Sequence, residues 1–390
     1  MNKNFDVIIV GGGMVGAACA VAMAKQQRSV ALVETQLPDV KALEKAPLRV
    51  SAVNLFSERF LTELGIWSNI PTSSSNQFKR LAASEDGVAP LMFTADEIAE
   101  SHLGHLIRNE ALQLAAFAEI EKTTDAITVF SSPIKSLVAK EDSVALSFED
   151  DAGTQIEASL LVGADGANSS VRKMSKIGTT GWQYQQSCLS ITIEADHFEQ
   201  DITWQQFQPS GPKAFLPLTL GHHALIWYDD ARKIKALNAL PHSQLKQKIT
   251  ETFPELPGDF NIVQHAAFPL TRMQANQYVK GRVVLVGDAA HTINPLAGQG
   301  VNLGYKDVSV LAEMIEGKDI TNSVELAQAL AKYQRNCKSQ SLLMSTMMDV
   351  FYQLFSNDNT ILSNFRKLAL TAANKAGPAK QWVLKRAVGY

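Results

Sequence analysis

A glycine-rich turn near the N-terminus constrains the fold more than any other part of the chain. The apolar residues 5–10 lead into Gly11, Gly13 and Gly16, which have the spacing GxGxxG and open an alanine-rich helical stretch. In such a unit the first glycine allows a tight turn, the second lets a pyrophosphate approach, and the third lets helix and strand pack closely. A second strand, residues 29–33, ends at Glu34, where an acid can bind a ribose hydroxyl. The unit predicts a dinucleotide site.

Glu34 also narrows the choice of nucleotide. A carboxylate at this position repels a 2′-phosphate, so FAD or NAD is expected here rather than NADP. The glycine spacing is compatible with either one.

A second apolar run, residues 283–286, stops at Gly287 and is followed by Asp288. A carboxylate at the end of a buried strand can accept hydrogen bonds from ribityl or ribose hydroxyls, because ligands of doubly wound sheets bind at the carboxyl ends of the strands. Beyond it, Pro295, Gly298 and Gly300 form a loop before a helical pattern. The free N–H groups of that helix start favour an anionic group.

The combination of a strand with an acid and a glycine occurs a second time. The apolar residues 156–161 lead through Gly163 to Asp165 and Gly166, and Arg172 follows within two helical turns. An Asp-Gly pair after a strand is usually only a turn. Its repetition of the Gly287–Asp288 pattern favours a role in the same site.

The intervening chain has a different pattern. Between residues 182 and 268, strand-like segments are joined by glycine and proline turns, which predicts an antiparallel sheet. We therefore expect an α/β protein with a discontinuous Rossmann-like nucleotide domain, an inserted antiparallel substrate domain and a C-terminal helical region. Their predicted ranges are 1–72, 103–178 and 273–340 for the first, 73–102 and 179–272 for the second, and 341–390 for the third. Residues 106–117 are expected in a helix, and His222 and His223 in an exposed turn.

Composition is that of an ordinary soluble globular enzyme, with an apolar fraction of 46%. The net charge of −3 gives no support to nucleic-acid binding, for which a basic domain is typical. Three widely separated cysteines indicate no disulfide or metal pattern, and no metal site is predicted. With no uncharged apolar run of about 18 residues, a cytoplasmic protein is expected that meets a membrane only at its surface.

Taken together, the three motifs resemble those of the single-component flavoprotein aromatic hydroxylases in order and spacing, over nearly the whole chain. Residues 48–52, 163–168 and 291–304 are most similar to the hydroxylases of ubiquinone biosynthesis. Residues 182–184, 203–207, 211–212, 214–218 and 227–229 are similar to the type that acts on a demethoxyubiquinol precursor.

The resemblance implies FAD in an extended form. Its ADP half would be held by Gly11, Gly13, Met14, Val15, Gly16 and Glu34, and its middle by Arg49, Asn109, Gly287 and Asp288. The isoalloxazine would lie against Pro295, Gly298, Gln299, Gly300, Val301 and Asn302. Asp165 and Arg172 are implicated in the transient binding of NADH or NADPH.

The activity implied is hydroxylation of a polyprenylated quinol with O₂, in which Pro295, Gly298 and Gln299 position groups rather than transfer protons. Three other interpretations are open: another ring hydroxylation step of ubiquinone biosynthesis, a related flavin reductase or dehydrogenase, and a non-catalytic FAD-bearing subunit of a biosynthetic complex. The last 32 residues carry six basic and no acidic side chains. This pattern fits contact with an anionic membrane or a partner of the ubiquinone pathway, and equally a helical cap with lysines in water.

Overall fold

The computed structural model describes residues 2–85, 88–123, 125–150, 153–195, 201–254, 256, 258–293, 298, 300–355, 374 and 377–390. Within them the strands are β1 (Asn2–Val10), β2 (Val30–Val33), β3 (Val50–Asn54), β4 (Ser75–Phe78), β5 (Arg80–Glu85), β6 (Leu91–Thr94), β7 (Gly104–Arg108), β8 (Ile127–Phe130), β9 (Ile134–Ala139), β10 (Val144–Phe148), β11 (Gln155–Gly163), β12 (Thr179–Glu194), β13 (Ile202–Phe207), β14 (Lys213–Pro217), β15 (His222–Asp230), β16 (Asn261–Ala275), β17 (Val279–Lys280), β18 (Val283–Leu285) and β19 (His291–Thr292). The helices are α1 (Met14–Lys25), α2 (Leu55–Glu63), α3 (Asn109–Glu121), α4 (Ser170–Met174), α5 (Ala231–Asn238), α6 (His242–Thr252), α7 (Gly300–Ile315), α8 (Ser323–Phe355) and α9 (Gly377–Ala387).

The first sheet is a doubly wound core with the strand order β17-β18-β11-β1-β2-β8. From β18 to β8 its strands pair in parallel, and the β9–β10 hairpin adds antiparallel to β11. All four residues of β2 are buried, which is typical of a parallel strand covered on both faces. The chain proceeds from β1 through β2 to β8 on one side, while β11 and β18 lie on the other. The carboxyl end of β1 therefore lies where the strand order reverses, the usual place for a ligand.

The second sheet has the order β19-β16-β12-β15-β14-β13-β5-β6. Its pairs are antiparallel except for β5 and β13, which run parallel because β5 enters from a separate segment of the chain. Helices α5 and α6 bury Ile234 and Ile249 against Leu189 and Trp227 of this sheet. The predicted α/β fold with an inserted, mainly antiparallel sheet is confirmed.

A small third sheet has the order β3-β7-β4. Its strands lie, in the sequence, between strands of the other two sheets. It corrects one prediction: Leu106, Ile107 and Arg108 belong to β7, because their backbones pair with β3 and β4, and α3 begins only at Asn109. A second prediction is wrong for His223, which lies fully buried in β15. Burial lowers the pKa of its imidazole to about 4.

Helix α8 packs on α7 and extends the first domain toward the C-terminus. It runs unbroken through residue 340, so the predicted boundary between residues 340 and 341 falls inside a helix. The other predicted domain boundaries stay a prediction.

Candidate cofactor site

The three sequence motifs meet at one edge of the first sheet, where β1, β2, β11 and β18 end. Backbone hydrogen bonds join these ends: the N–H groups of Gly11, Ala164 and Val286 donate to the carbonyls of Val33, Val10 and Gly163 at 2.8, 2.7 and 3.0 Å. Segments that are far apart in sequence thus form one recess.

The glycines of the first motif meet different steric demands. Gly11 has a φ of +101°, and a Cβ added there would lie 2.5 Å from the Ala164 carbonyl oxygen. A Cβ on Gly16 would lie 1.8 Å from the Gly11 oxygen. At Gly13 an added Cβ would meet no described atom within 4 Å. Gly11 and Gly16 thus allow close packing, whereas Gly13 leaves the backbone open to a ligand.

Helix α1 begins directly after this opening. Gly13 is its N-cap residue and offers no capping side chain, so N–H groups of the first turn are available to an anion. Beside it, Glu34 accepts hydrogen bonds from the N–H groups of Gly12 at 2.6 Å and Gln36 at 2.8 Å. Each carboxylate oxygen keeps a lone pair for a ligand hydroxyl.

Asp165 and Arg172 have different surroundings. One oxygen of Asp165 accepts hydrogen bonds from the backbone of Ser170 and Val171, and the other is buried without a hydrogen-bond partner among the described residues. Arg172 is buried and donates to the carbonyls of Ala289 and Ala167 at 2.8 and 2.7 Å. Burial lowers the pKa of its guanidinium. Arg172 therefore ties the second motif to the third.

Beneath the third motif lies a buried ion pair. Gly287 has a φ of +57°, and its N–H donates to Asp307 Oδ2 at 2.9 Å. The same oxygen lies 2.6 Å from His291 Nε2, and both side chains are almost fully buried. Burial alone would lower the pKa of His291, but the charge and hydrogen bond of Asp307 outweigh it and raise that pKa. The pair holds the turn that presents Asp288.

Asp288 itself faces the recess. Loss of water around the carboxylate raises its pKa, while His291 and Arg49 act in the opposite direction. The residue nevertheless keeps an exposed surface, as expected for a group on the floor of an open cleft. A carboxylate with surface open to solvent therefore stands just beyond the end of β18.

Val15 joins the first motif to the third. A Cβ on Gly304 would lie 2.6 Å from Val15 Cγ2, and a Cβ on Gly287 would lie 3.4 Å from Val15 Cγ1. The side chain of Val15 thus fills the space between α1 and α7. Met14, the first residue of α1, is half-buried beside it.

Asn302 is buried and connects the start of α7 to β3 and α2. Its Nδ2 donates to the Ala52 carbonyl at 2.8 Å, and its Oδ1 accepts from Ser57 Oγ at 2.8 Å and Asn54 N–H at 3.1 Å. Gly298 has a φ of +62° and approaches Ala52. A Cβ on Gly300 would meet no described atom within 4 Å, and Val301 is half-buried. Pro295 and Gln299 lie outside the described residues.

Arg49 and Asn109 border the recess on the side of the second sheet. The Asn109 N–H donates to the Arg49 carbonyl at 3.0 Å, and its Oδ1 accepts from the Ser51 hydroxyl at 2.7 Å. The exposed guanidinium of Arg49 lies 5.1 Å from the ring centre of Phe268 on β16. The recess is therefore bordered by both large sheets.

Some residues of this arrangement escaped the sequence analysis. Asp307 carried a readable signal, because it shares the buried face of α7 with Gly304 and Leu311, where a charged side chain needs a partner. No such signal marked Gln113 or Ser51. The Gln113 amide donates to the Gly12 carbonyl at 2.8 Å.

The fold is shared with solved flavoprotein hydroxylases. The p-nitrophenol 4-monooxygenase PnpA of Pseudomonas putida superimposes with a TM-score of 0.81 at 16% identity, covering 99% of this chain and 98% of that one. Fold and recess together define a flavoprotein built like the FAD-dependent aromatic hydroxylases. The profile described as "FAD binding domain" matches residues 4–338, and the chain belongs to that family. The prediction of FAD as cofactor is confirmed.

Two curated relatives span the whole chain. The 3-demethoxyubiquinol 3-hydroxylase of Escherichia coli is 38% identical over 390 residues, which are 100% of this chain and 99% of that protein. The ubiquinone hydroxylase UbiL of Rhodospirillum rubrum is 30% identical over 100% of this chain and 90% of its own length. These matches confirm the predicted resemblance and the prediction of an FAD-dependent monooxygenase.

Proposed function

We propose that this protein hydroxylates the ring of a polyprenylated demethoxyubiquinol, using O₂ and NADH or NADPH. The observation that carries the proposal is the full-length 38% identity to the E. coli 3-demethoxyubiquinol 3-hydroxylase. The recess supports it, because it combines an open dinucleotide turn with a border formed by the second sheet.

The recess fits the ADP half of FAD. The open backbone at Gly13 and the start of α1 would receive the pyrophosphate, whose charge the N–H groups and helix dipole stabilise. Glu34 would accept from a ribose hydroxyl while the backbone of Gly12 and Gln36 holds it in place.

The remaining contacts follow from the same geometry. Asp288 would accept from the ribityl chain, with Arg49 and Asn109 beside the middle of the cofactor. FAD bound there would supply the redox chemistry: a hydride taken from the nicotinamide, and O₂ split between one oxygen added to an electron-rich ring and one released as water. The chain itself would orient the ring with residues 295–302, and the free N–H groups at the start of α7 would stabilise negative charge. Closing the recess to water would protect the reaction.

For the reductant we propose transient binding near Asp165, whose second oxygen is an unused acceptor among the described residues. The donors of Arg172 already bond to two carbonyls, so we assign it a positioning role.

The decisive experiment uses the FAD-loaded protein, a short-tailed demethoxyubiquinol and ¹⁸O₂. We expect NAD(P)H oxidation that the quinol stimulates, and one ¹⁸O atom in the product. A product that contains no ¹⁸O would indicate a dehydrogenase or reductase. NAD(P)H oxidation that the quinol does not stimulate would indicate a non-catalytic subunit. Gly16→Ala, which cannot pack its helix, is the inactive control.

We also propose that α9 touches an anionic membrane surface. Among the described residues no helix is long and apolar enough to cross a bilayer. Trp382 and Val383 are 62% and 50% exposed, and Arg386 stacks on Trp382 at 5.4 Å. Lys380 does not belong to this surface, since it is nearly buried and pairs with Glu97 at 2.6 Å. Of the rest of the C-terminal basic segment, residues 359–373, 375 and 376 lie outside the described residues, and with them Arg366, Lys367 and Lys375.

The membrane contact is tested with liposomes containing anionic lipid. Lys385→Glu with Arg386→Glu should reduce sedimentation with them, whereas the matched charge reversal Arg232→Glu with Lys235→Glu on α5 should not. Equal effects of both pairs would refute a specific surface on α9.

A further inference from the structure

Glu58, His102 and His105 form a compact cluster that the cofactor site does not use. Glu58 lies on α2, His102 precedes β7 and His105 lies within it. Glu58 Oε2 is 2.7 Å from His102 Nε2 and 3.6 Å from His105 Nε2. The side chains are only 20%, 10% and 14% exposed, so these groups interact with one another more than with water.

The outer nitrogen of each imidazole is already engaged. His102 Nδ1 lies 2.8 Å from Ser101 Oγ, and His105 Nδ1 lies 3.0 Å from Ser75 Oγ. Without an ion, His102 Nε2–H donates to Glu58 at 2.7 Å. When the Nδ1 atoms donate to the hydroxyls instead, both Nε2 atoms carry lone pairs that an ion beside Glu58 would accept. Hydrogen bonding at the second nitrogen is how proteins orient histidines that bind metal.

His105 supplies an independent observation. Its Nε2 is buried and has no hydrogen-bond partner among the described residues. A buried polar atom left without a partner is costly, and a bound ion would satisfy it. The ring is also held from outside, since Trp67 packs against it edge to face at 4.9 Å.

We propose that Glu58, His102 and His105 bind a divalent transition-metal ion, with Zn²⁺ as the best match. Two imidazoles and one carboxylate suit zinc and related ions, whereas Mg²⁺ and Ca²⁺ prefer oxygen ligands. Donor atoms of a tetrahedral zinc site lie about 3.3 Å apart, as its bond lengths require. The two carboxylate-to-imidazole separations of 2.7 and 3.6 Å bracket that value, and all three donor atoms lie within 4.8 Å of one another, so side-chain adjustment would bring them to it.

The ion would anchor α2 to β7. Ser57, the neighbour of Glu58, donates to Asn302 at 2.8 Å. The metal would thus stabilise the helix against which the start of α7 is held. The proposal concerns stability and does not depend on the substrate.

The test uses FAD-loaded protein stripped of metal and titrated with Zn²⁺ by calorimetry, and with Co²⁺ by its visible d–d absorption. We expect one ion per chain, a cobalt spectrum of nitrogen and oxygen ligation, and a raised melting temperature. His105→Gln should abolish binding, and Ser75→Ala should weaken it about tenfold through the outer hydrogen bond.

His242→Gln is the matched control, because His242 is an exposed histidine that lies against His265 and belongs to no candidate metal cluster within the described part of the chain. It should leave the affinity unchanged. FAD content and circular dichroism identify a misfolded variant. If His105→Gln does not fold, the zinc affinity of Ser75→Ala still tests the proposal. No binding at millimolar Zn²⁺, or binding that is unchanged in both His105→Gln and Ser75→Ala, would overturn the proposal.

Discussion

The substitution Asp307→Asn tests whether the buried ion pair of Asp307 and His291 stabilises the cofactor site above it. One oxygen of Asp307 accepts hydrogen bonds from the Gly287 backbone and from His291, at 2.9 and 2.6 Å. Asparagine has nearly the same shape but no charge. The substitution therefore removes the electrostatic attraction while changing the packing little.

The expected loss in free energy of unfolding is about 3–5 kcal/mol, the range found when one partner of a buried ion pair is removed. The upper part of that range is plausible because the two side chains are only 1% and 4% exposed. FAD affinity should fall as well, because the Gly287–Asp288 turn loses its support.

The effect has a defined pH dependence. The pKa of His291 is raised above its usual 6.5 in the folded protein, so its protonation favours the folded state. That stabilisation is complete below about pH 6.5 and is lost as the pH rises through the folded pKa. The penalty of Asp307→Asn should therefore be larger at pH 6 than at pH 9.

Urea unfolding of both proteins at pH 6 and pH 9, with excess FAD, measures this directly. Glu313→Gln, which removes an exposed carboxylate from the same helix, is the control and should have little effect. A loss below about 1 kcal/mol, the value of an ordinary hydrogen bond, would refute the argument, and so would a larger loss at pH 9 than at pH 6.

Three further outcomes are expected. Gly304→Ala places a Cβ 2.6 Å from Val15 and should cost about 1–3 kcal/mol in urea unfolding; adding Val15→Ala should recover part of it, and a lack of recovery would contradict the packing described. Asn302→Ala removes the hydrogen bonds to β3 and α2 and should cost about 1–3 kcal/mol by the same measurement, whereas a neutral effect would show that α7 is held otherwise. The third outcome concerns acid: burial raises the pKa of Glu58, but its two histidines outweigh this and lower it from 4.5 to about 2. A lowered carboxylate pKa contributes stability above pH 4.5, here at most about 3 kcal/mol, which is lost as the pH falls toward 2. Glu58→Gln should flatten acid unfolding over that interval, and an unchanged profile would contradict the assignment.

Local patterns predicted most of the strands. The apolar runs ending at Val10, Gly163 and Leu285 are three of the parallel strands of the first sheet, because a strand buried on both faces needs an uninterrupted apolar sequence. The same reasoning failed at Leu106, whose helical spacing was overridden by pairing with β3 and β4. It also failed for His223, since a strand can bury a histidine that hydrogen bonds to a carbonyl.

The sequence by itself determined the class of protein, because a glycine turn between a strand and a helix depends on residues that are neighbours in the chain. It also identified Asp288 and Glu34 as acids that end strands. Only the tertiary structure decided what the other polar groups do: Asp307 supports the turn at Gly287, Arg172 bonds to backbone carbonyls, and His105 of β7 lies beside a carboxylate on α2. These roles depend on which distant segments become neighbours after folding. That choice comes from the packing of the entire chain, so no local pattern contains it.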